Sequence, residues 1–205
     1  MKRVNRIAAV LLACSMSAQG AVVISELDIA NNKIEIVNTG GSSVDTAAWW
    51  LCNRVNGSPF YITFGSVGII AAESSSMDLN LGAGEFVTLQ LTAGFVPDGN
   101  GELGIYNTNS FASSTAIEDY VVWGAIGVRD SVAQNAGIWT DNQFIDVSGI
   151  GAGETVQLLP SQAGNAPADY TIGASTIGSA TNVPEPGSAL LAVGGSALLL
   201  CRRRS

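Results

Sequence analysis

The chain has 205 residues, of which 47% are hydrophobic, and nine basic and 17 acidic residues give it a formal net charge of −8. Six of the nine basic residues lie in the first six and last four positions, so the middle carries a net charge of 3 − 17 = −14. Such a surface repels phosphate backbones and anionic headgroups, which argues against nucleic-acid binding. The chain contains no histidine, which excludes Ser-His-Asp and Cys-His catalysis and the commonest zinc ligand.

The first 21 residues have the layout of a secretory signal peptide. A basic stretch, an apolar stretch and a small-residue exit region follow one another: Lys2, Arg3 and Arg6, then 7–13, then 15–21. We expect cleavage between Ala18 and Ala21. The alternative is a lipoprotein anchored through Cys14, because the sequence Leu-Leu-Ala-Cys at 11–14 approximates a lipobox.

The middle of the chain alternates short β-prone segments with turns rich in Gly, Asn and Asp, which is typical of an antiparallel β-sandwich. One short helix is predicted, with Asp130 or Ser131 as its N-terminal cap and Gly137 at its end. Cys52 is the only cysteine between the termini, so we expect no disulfide there and a buried, unreactive thiol. The predicted strands are 22–29, 33–37, 49–52, 60–64, 75–81, 86–91, 103–106, 120–123, 155–159 and 170–172.

The C-terminal end has four successive parts. A Gly/Ala/Ser/Thr-rich flexible linker is predicted at 173–182, and it is followed by Val183, Pro184, Glu185 and Pro186. The two prolines keep this motif out of a helix. The apolar residues 187–201 would form a helix of about 22 Å, which spans a hydrocarbon core of ~30 Å only with bilayer thinning or snorkelling. Arg202, Arg203 and Arg204 would remain in the cytoplasm.

These C-terminal features, in this order, resemble the PEP-CTERM sorting signal of exported bacterial proteins. The resemblance covers 183–205 and implies that an exosortase, a membrane-embedded cysteine protease, recognises the Pro-Glu-Pro motif and removes the helix. It also implies a Gram-negative host that makes exopolysaccharide and extracellular matrix. An ordinary tail anchor is the alternative interpretation.

Five segments in the middle of the chain share a pattern with a known family: 23–26, 34–40, 50–51, 117–124 and 176–182. Together they resemble a lamin-tail domain, which implies an immunoglobulin-like β-sandwich over 22–172 that serves as an interaction module rather than a catalyst. The last of these segments departs from the family, because Thr-Ile-Gly at 176–178 stands where the family often has a proline before the glycine.

Three patterns in the middle suggest chemistry. Asp98, Asn100 and Glu102 place an oxygen at every second residue, as calcium loops do, but the later glutamate of an EF-hand is missing, which favours a plain turn. An exposed Trp49 or Trp139 would offer a ring on which a sugar stacks, whereas Trp50 and Trp123 are assigned to core packing. Glu118 and Asp119 are adjacent on a strand and point to opposite faces, so we expect Asp119 to accept backbone hydrogen bonds rather than share a substrate.

Taken together, the sequence predicts an exported, non-enzymatic β-sandwich that reaches the cell surface or extracellular matrix after a membrane-anchored intermediate. Its expected partners are the Sec export machinery, an exosortase, and exopolysaccharide or other matrix components. No cofactor is expected, and calcium is the one metal that the pattern suggests. The alternatives are a calcium- or polysaccharide-binding module, a lipoprotein anchored through Cys14, and a hydrolase.

Overall fold

The structure is a computed structural model that describes residues 22–56 and 59–179. Within these ranges the chain forms twelve strands, one α-helix and three short 3₁₀ helices, the latter at Phe64–Ser66, Ala71–Glu73 and Pro167–Asp169. The strands are β1 (Val22–Asp28), β2 (Lys33–Asn38), β3 (Val44–Asp45), β4 (Trp50–Cys52), β5 (Tyr61–Thr63), β6 (Gly68–Ile69), β7 (Asn80–Leu81), β8 (Phe86–Gln90), β9 (Gly101–Tyr106), β10 (Ile117–Trp123), β11 (Glu154–Leu158) and β12 (Tyr170–Ala174), and the helix is α1 (Asp130–Ala136).

Two antiparallel sheets make up the sandwich. The larger has six strands in the order β12-β11-β1-β2-β8-β6, and the smaller has four in the order β10-β9-β4-β5. A separate two-stranded ribbon pairs β3 with β7. All strand pairs in these three sheets are antiparallel, so the prediction of an all-β antiparallel sandwich is confirmed at this level.

The core follows the alternation of apolar residues along the strands. On β2, Ile34 and Ile36 are fully buried, and each pairs with another buried apolar residue on β8. On the smaller sheet, Leu51 of β4 pairs with Ile105 of β9, and both are fully buried. Burial of apolar side chains from both sheets is the main stabilising term of such a fold.

The predicted strand 75–81 is wrong over most of its length, since only Asn80 and Leu81 form a strand. The hydroxyl of Ser74 accepts a hydrogen bond from the amide of Thr88, and the hydroxyl of Ser75 accepts one from the amide of Phe86. Serine side chains thus take the place of backbone ladder bonds along part of β8.

The predicted helix is present, but its N-terminal cap is not the predicted one. Arg129 occupies the N-cap position and contributes no side-chain hydrogen bond, whereas Asp130 accepts a hydrogen bond from the amide of Asn142, 3.1 Å away. Gly137 ends the helix as expected, with a positive φ of 74° that favours glycine.

The predicted linker 173–182 is wrong over its first part. Gly173 and Ala174 complete strand β12, and the next residues are hydrogen-bonded to the larger sheet up to Gly178. The folded region therefore extends beyond the predicted boundary at 172, and residues 180–182 lie outside the described part. The described residues include no helix that is long and apolar enough to cross a membrane.

Candidate functional site

The predicted sorting elements lie outside the described residues. These are the signal peptide 1–21 with Cys14, the motif Val183, Pro184, Glu185 and Pro186, the apolar run 187–201, and Arg202, Arg203 and Arg204. Their roles therefore remain predictions from the sequence.

The three candidate calcium ligands do not converge. Glu102 is fully buried on β9, whereas Asp98 is exposed and lines a surface cavity of about 240 Å³ together with Glu154. The side-chain oxygen of Asn100 accepts a hydrogen bond from the side-chain NH₂ group of Asn56 at 3.0 Å. In the part of the chain that the structure describes, no three acidic or cysteine side chains come close enough to hold a metal ion. The spacing of these three residues therefore reflects a turn that leads into β9.

The two candidate tryptophans are not exposed platforms. Trp139 is only 4% exposed, and its indole N–H donates to the carbonyl of Gln143 at 2.9 Å. Its ring packs edge-on against Tyr120, with centroids 5.6 Å apart. Trp49 is half-buried and packs against the core. The structure thus assigns Trp139 to the core, and Trp123 is fully buried as expected.

Cys52 and Asp119 are internal groups. Cys52 is free and fully buried, and burial raises the pKa of its thiol to about 12. Asp119 accepts a hydrogen bond from the amide of Ile24 at 2.6 Å, which connects β10 to β1, and burial raises its pKa to about 7. The expected backbone hydrogen bond to Asp119 is confirmed. Glu118 instead accepts a hydrogen bond from the side chain of Asn107, which separates the two carboxylates.

Sequence reasoning missed a pair of buried glutamates on the larger sheet. Glu26 of β1 and Glu35 of β2 are directly paired across the two strands, and each is 1% exposed. Ser175, Thr176 and Gly178 cover them. Glu26 accepts hydrogen bonds from the hydroxyls of Thr155, Ser175 and Thr176 and from the amide of Thr176, at 2.6 to 2.9 Å. We call residues 175–179 the closing segment.

Glu35 secures the end of the closing segment. One oxygen of its carboxylate accepts a hydrogen bond from the amide of Gly178 at 2.9 Å, and the other accepts one from the hydroxyl of Ser25 at 2.7 Å. Burial raises the pKa of Glu35 to about 7; the two hydrogen bonds oppose this rise, while nearby Glu26 and Glu73 add to it. Near neutral pH, the charge of this carboxyl group therefore changes beneath the closing segment.

Substitution of Glu26 by Ala is expected to release the closing segment. The change removes the acceptor for both Ser175 and Thr176, at a cost of roughly 1–3 kcal/mol, so amide exchange at Thr176 should accelerate about 5- to 150-fold. Hydrogen exchange by mass spectrometry or NMR would measure this. The exposed carboxylate of Asp98 provides the control, since Asp98→Ala should leave the rate unchanged. Equal rates in wild type and Glu26→Ala would contradict the assigned contacts.

A second feature that the sequence did not reveal is a surface where two arginines meet aromatic rings. The guanidinium of Arg54 lies 4.4 Å from the ring centroid of Phe60, and the guanidinium of Arg129 donates to the hydroxyl of Tyr61 at 3.1 Å. Lys33, the third cation of the middle region, forms the one salt bridge found in residues 22–56 and 59–179, with Glu73. We call Arg54, Phe60, Tyr61 and Arg129 the arginine–aromatic surface.

The buried carboxylate of Glu102 positions both arginines. One oxygen accepts a hydrogen bond from the amide of Arg54 at 3.3 Å, and the other accepts bonds from the amide of Arg129 at 2.9 Å and the hydroxyl of Tyr120 at 2.7 Å. Burial raises the pKa of Glu102, and these hydrogen bonds oppose the rise. Because Glu102 accepts from the backbone amides of the two arginines, it occupies none of the N–H donors of their guanidinium groups in these hydrogen bonds.

Further aromatic rings support this surface. Phe111 stacks on Tyr61 with centroids 4.0 Å apart, and it meets Trp50 and Tyr106 edge-on at 5.8 and 5.3 Å. Trp50, Tyr61 and Phe111 are half-buried, while Phe60 is 44% exposed. An open area of ring surface therefore lies beside the two guanidinium groups.

Comparison of the chain with protein-family models, with curated proteins and with solved structures finds no match in any of the three. The functional argument therefore depends on the residues themselves and on their arrangement in the fold.

Proposed function

We propose that this chain is an exported, non-enzymatic protein of the cell surface or extracellular matrix, built on an immunoglobulin-like sandwich of the lamin-tail type. The Sec machinery exports it, the C-terminal helix holds it in the membrane, and an exosortase cleaves it at Pro184, Glu185 and Pro186. The mature molecule is then the acidic sandwich.

The observation that carries this proposal is that every described strand lies between the two predicted processing sites. Strand β1 begins at Val22, which is fully buried and directly follows the expected cleavage region that ends at Ala21. Ser179, the last residue of the closing segment, lies four positions before Val183. Cleavage at both sites would leave every described strand and the closing segment intact.

The lamin-tail resemblance is supported by where its segments lie. The opening segments fall on β1 and β2, and the segment 117–124 covers β10. These parts contact one another, since Asp119 accepts a hydrogen bond from the amide of Ile24. The last of the resembling segments is hydrogen-bonded through Thr176 and Gly178 to Glu26 and Glu35 of the opening segments.

A structural role also agrees with how the buried carboxylates are used. Glu26, Glu35, Glu102 and Asp119 all accept hydrogen bonds from neighbouring strands or loops. Each therefore connects parts of the fold that are distant in sequence.

Replacement of both prolines of the motif tests the sorting step. In the native host, Pro184→Ala combined with Pro186→Ala is expected to leave the protein membrane-associated with its C-terminal helix attached, whereas wild type loses the helix. Immunoblotting of fractionated cells, followed by mass measurement, would show this. The neighbouring change Asn182→Ala is the control and should be processed normally. Normal processing of the double variant would contradict the proposal.

A polysaccharide-binding role is the second candidate, and the arginine–aromatic surface favours it. The calcium-binding alternative has no such support, because Asp98 and Glu102 lie in different environments, one exposed and one buried.

A further inference from the structure

We propose that the arginine–aromatic surface binds a carboxylate-bearing sugar of an acidic polysaccharide. The site consists of Arg54, Phe60, Tyr61 and Arg129, with Trp50 beside them. The choice of ligand rests on the proposed location at a surface or matrix, whereas the site itself is defined by its own contacts.

The distribution of charge is the first argument. The described residues carry three cations, and the two that form no salt bridge there both belong to this surface. The Nε atoms of Arg54 and Arg129 are buried and have no hydrogen-bond partner among the described residues. A guanidinium presents parallel N–H donors that match a carboxylate in a two-bond arrangement. Because the Nε atoms are buried, the terminal N–H groups of the two guanidinium groups are the donors that this surface offers to an anion on an otherwise acidic domain.

The exposed rings are the second argument. Phe60 and Tyr61 lie edge to face with centroids 6.4 Å apart, and Tyr61 is stacked on Phe111. The apolar C–H face of a sugar can pack on such rings while its carboxylate reaches a guanidinium. Aromatic and charged groups side by side thus fit a ligand that has both an apolar face and a negative charge.

Three other classes of ligand fit less well. Strand β5, at the edge of the smaller sheet, has only three residues and gives little backbone for strand addition by a peptide. A nucleic-acid duplex carries one charge per about 1.7 Å, so the acidic domain would repel it more strongly than a polysaccharide with one carboxylate per sugar. A neutral sugar can accept hydrogen bonds from the two guanidinium groups through its hydroxyls, but it offers no negative charge to pair with them. A polysaccharide with separated carboxylates satisfies the charge and the rings together.

The test is a calorimetric titration of the protein, purified in the form its host exports, with a galacturonic acid hexamer. Arg54→Gln and Arg129→Gln are each expected to weaken binding about 10- to 150-fold, because each loses a charge-assisted contact worth roughly 1.5–3 kcal/mol. The fully methyl-esterified hexamer should also bind at least about tenfold more weakly. Lys33→Gln is the matched control: it removes the same charge on the other sheet and should bind within about twofold of wild type.

Several outcomes would overturn the proposal. These are no saturable binding of the hexamer, equal binding of its methyl ester, an equal loss in Lys33→Gln, or equally tight binding of hexaglutamate, which would indicate an acidic peptide ligand. Thermal melting of each variant verifies that its fold is retained. Processing at the Pro-Glu-Pro motif is measured separately, so a failure of binding and a failure of sorting are distinguishable.

Discussion

The free energy of unfolding is expected to decrease as the pH rises from about 5 to about 8. Glu35 and Asp119 are each 1% exposed, and burial raises the pKa of both to about 7, from ordinary values near 4.5 and 3.8. A carboxyl group with a raised folded-state pKa stabilises the fold below its unfolded pKa and loses that contribution as the pH rises through 7. The expected loss is roughly 3 kcal/mol for each group. The pKa of Glu102 is raised in the same direction.

Urea unfolding at pH 5 and pH 8 would measure this dependence, with Glu35→Gln and Asp119→Asn as the informative variants. Each amide mimics the protonated acid, so each variant should show a smaller difference between the two pH values. Glutamine at position 35 can accept a hydrogen bond from the amide of Gly178 and donate one to the hydroxyl of Ser25. That hydroxyl can in turn donate to the backbone carbonyl of residue 35. The exposed Asp98→Asn is the control, and stability that increases from pH 5 to pH 8 would contradict the argument.

Substitution of Glu102 by Ala is expected to destabilise the fold by about 3 kcal/mol or more and to abolish binding at the arginine–aromatic surface. The change leaves three donors without their acceptor, namely the amides of Arg54 and Arg129 and the hydroxyl of Tyr120. Each unsatisfied buried donor costs roughly 1–3 kcal/mol, and rearrangement recovers part of this. Chemical unfolding and the hexamer titration would measure the two effects.

Two further variants make this prediction specific. Glu102→Gln keeps one acceptor oxygen and should cost about 1 kcal/mol. Glu118→Ala removes a half-buried carboxylate from the neighbouring strand and should cost less than about 1 kcal/mol. If Glu102→Ala were no more destabilising than Glu118→Ala, Glu102 would not be the group that positions the two arginines.

Local patterns were sufficient to predict much of the fold. The alternation around Ile34 and Ile36 predicted β2, and Gly137 predicted the end of the helix, because both signals depend on residues close in sequence. The ordered structure of the closing segment could not be predicted from local patterns. Ser175, Thr176 and Gly178 have the composition of a linker, and the acceptors that order them, Glu26 and Glu35, lie 143 to 150 positions away.

The candidate site was less predictable than the fold for the same reason. The residues of the arginine–aromatic surface come from separate parts of the chain and form no local motif, although the scarcity of cations in the middle region was a usable signal. Spacing suggested that Glu102 was a metal ligand, but its partners Tyr120 and Arg129 become visible only when β9, β10 and α1 are assembled. The burial of Trp139 was not predictable, because an isolated tryptophan carries no indication of what packs over it.

The most direct test of the proposed function is the intact mass of the protein recovered from its native host. We predict a chain that begins between residues 19 and 22, lacks Arg202, Arg203 and Arg204, and is found at the cell surface or outside the cell. An uncleaved chain of 21.0 kDa in the cytosol would contradict the proposal.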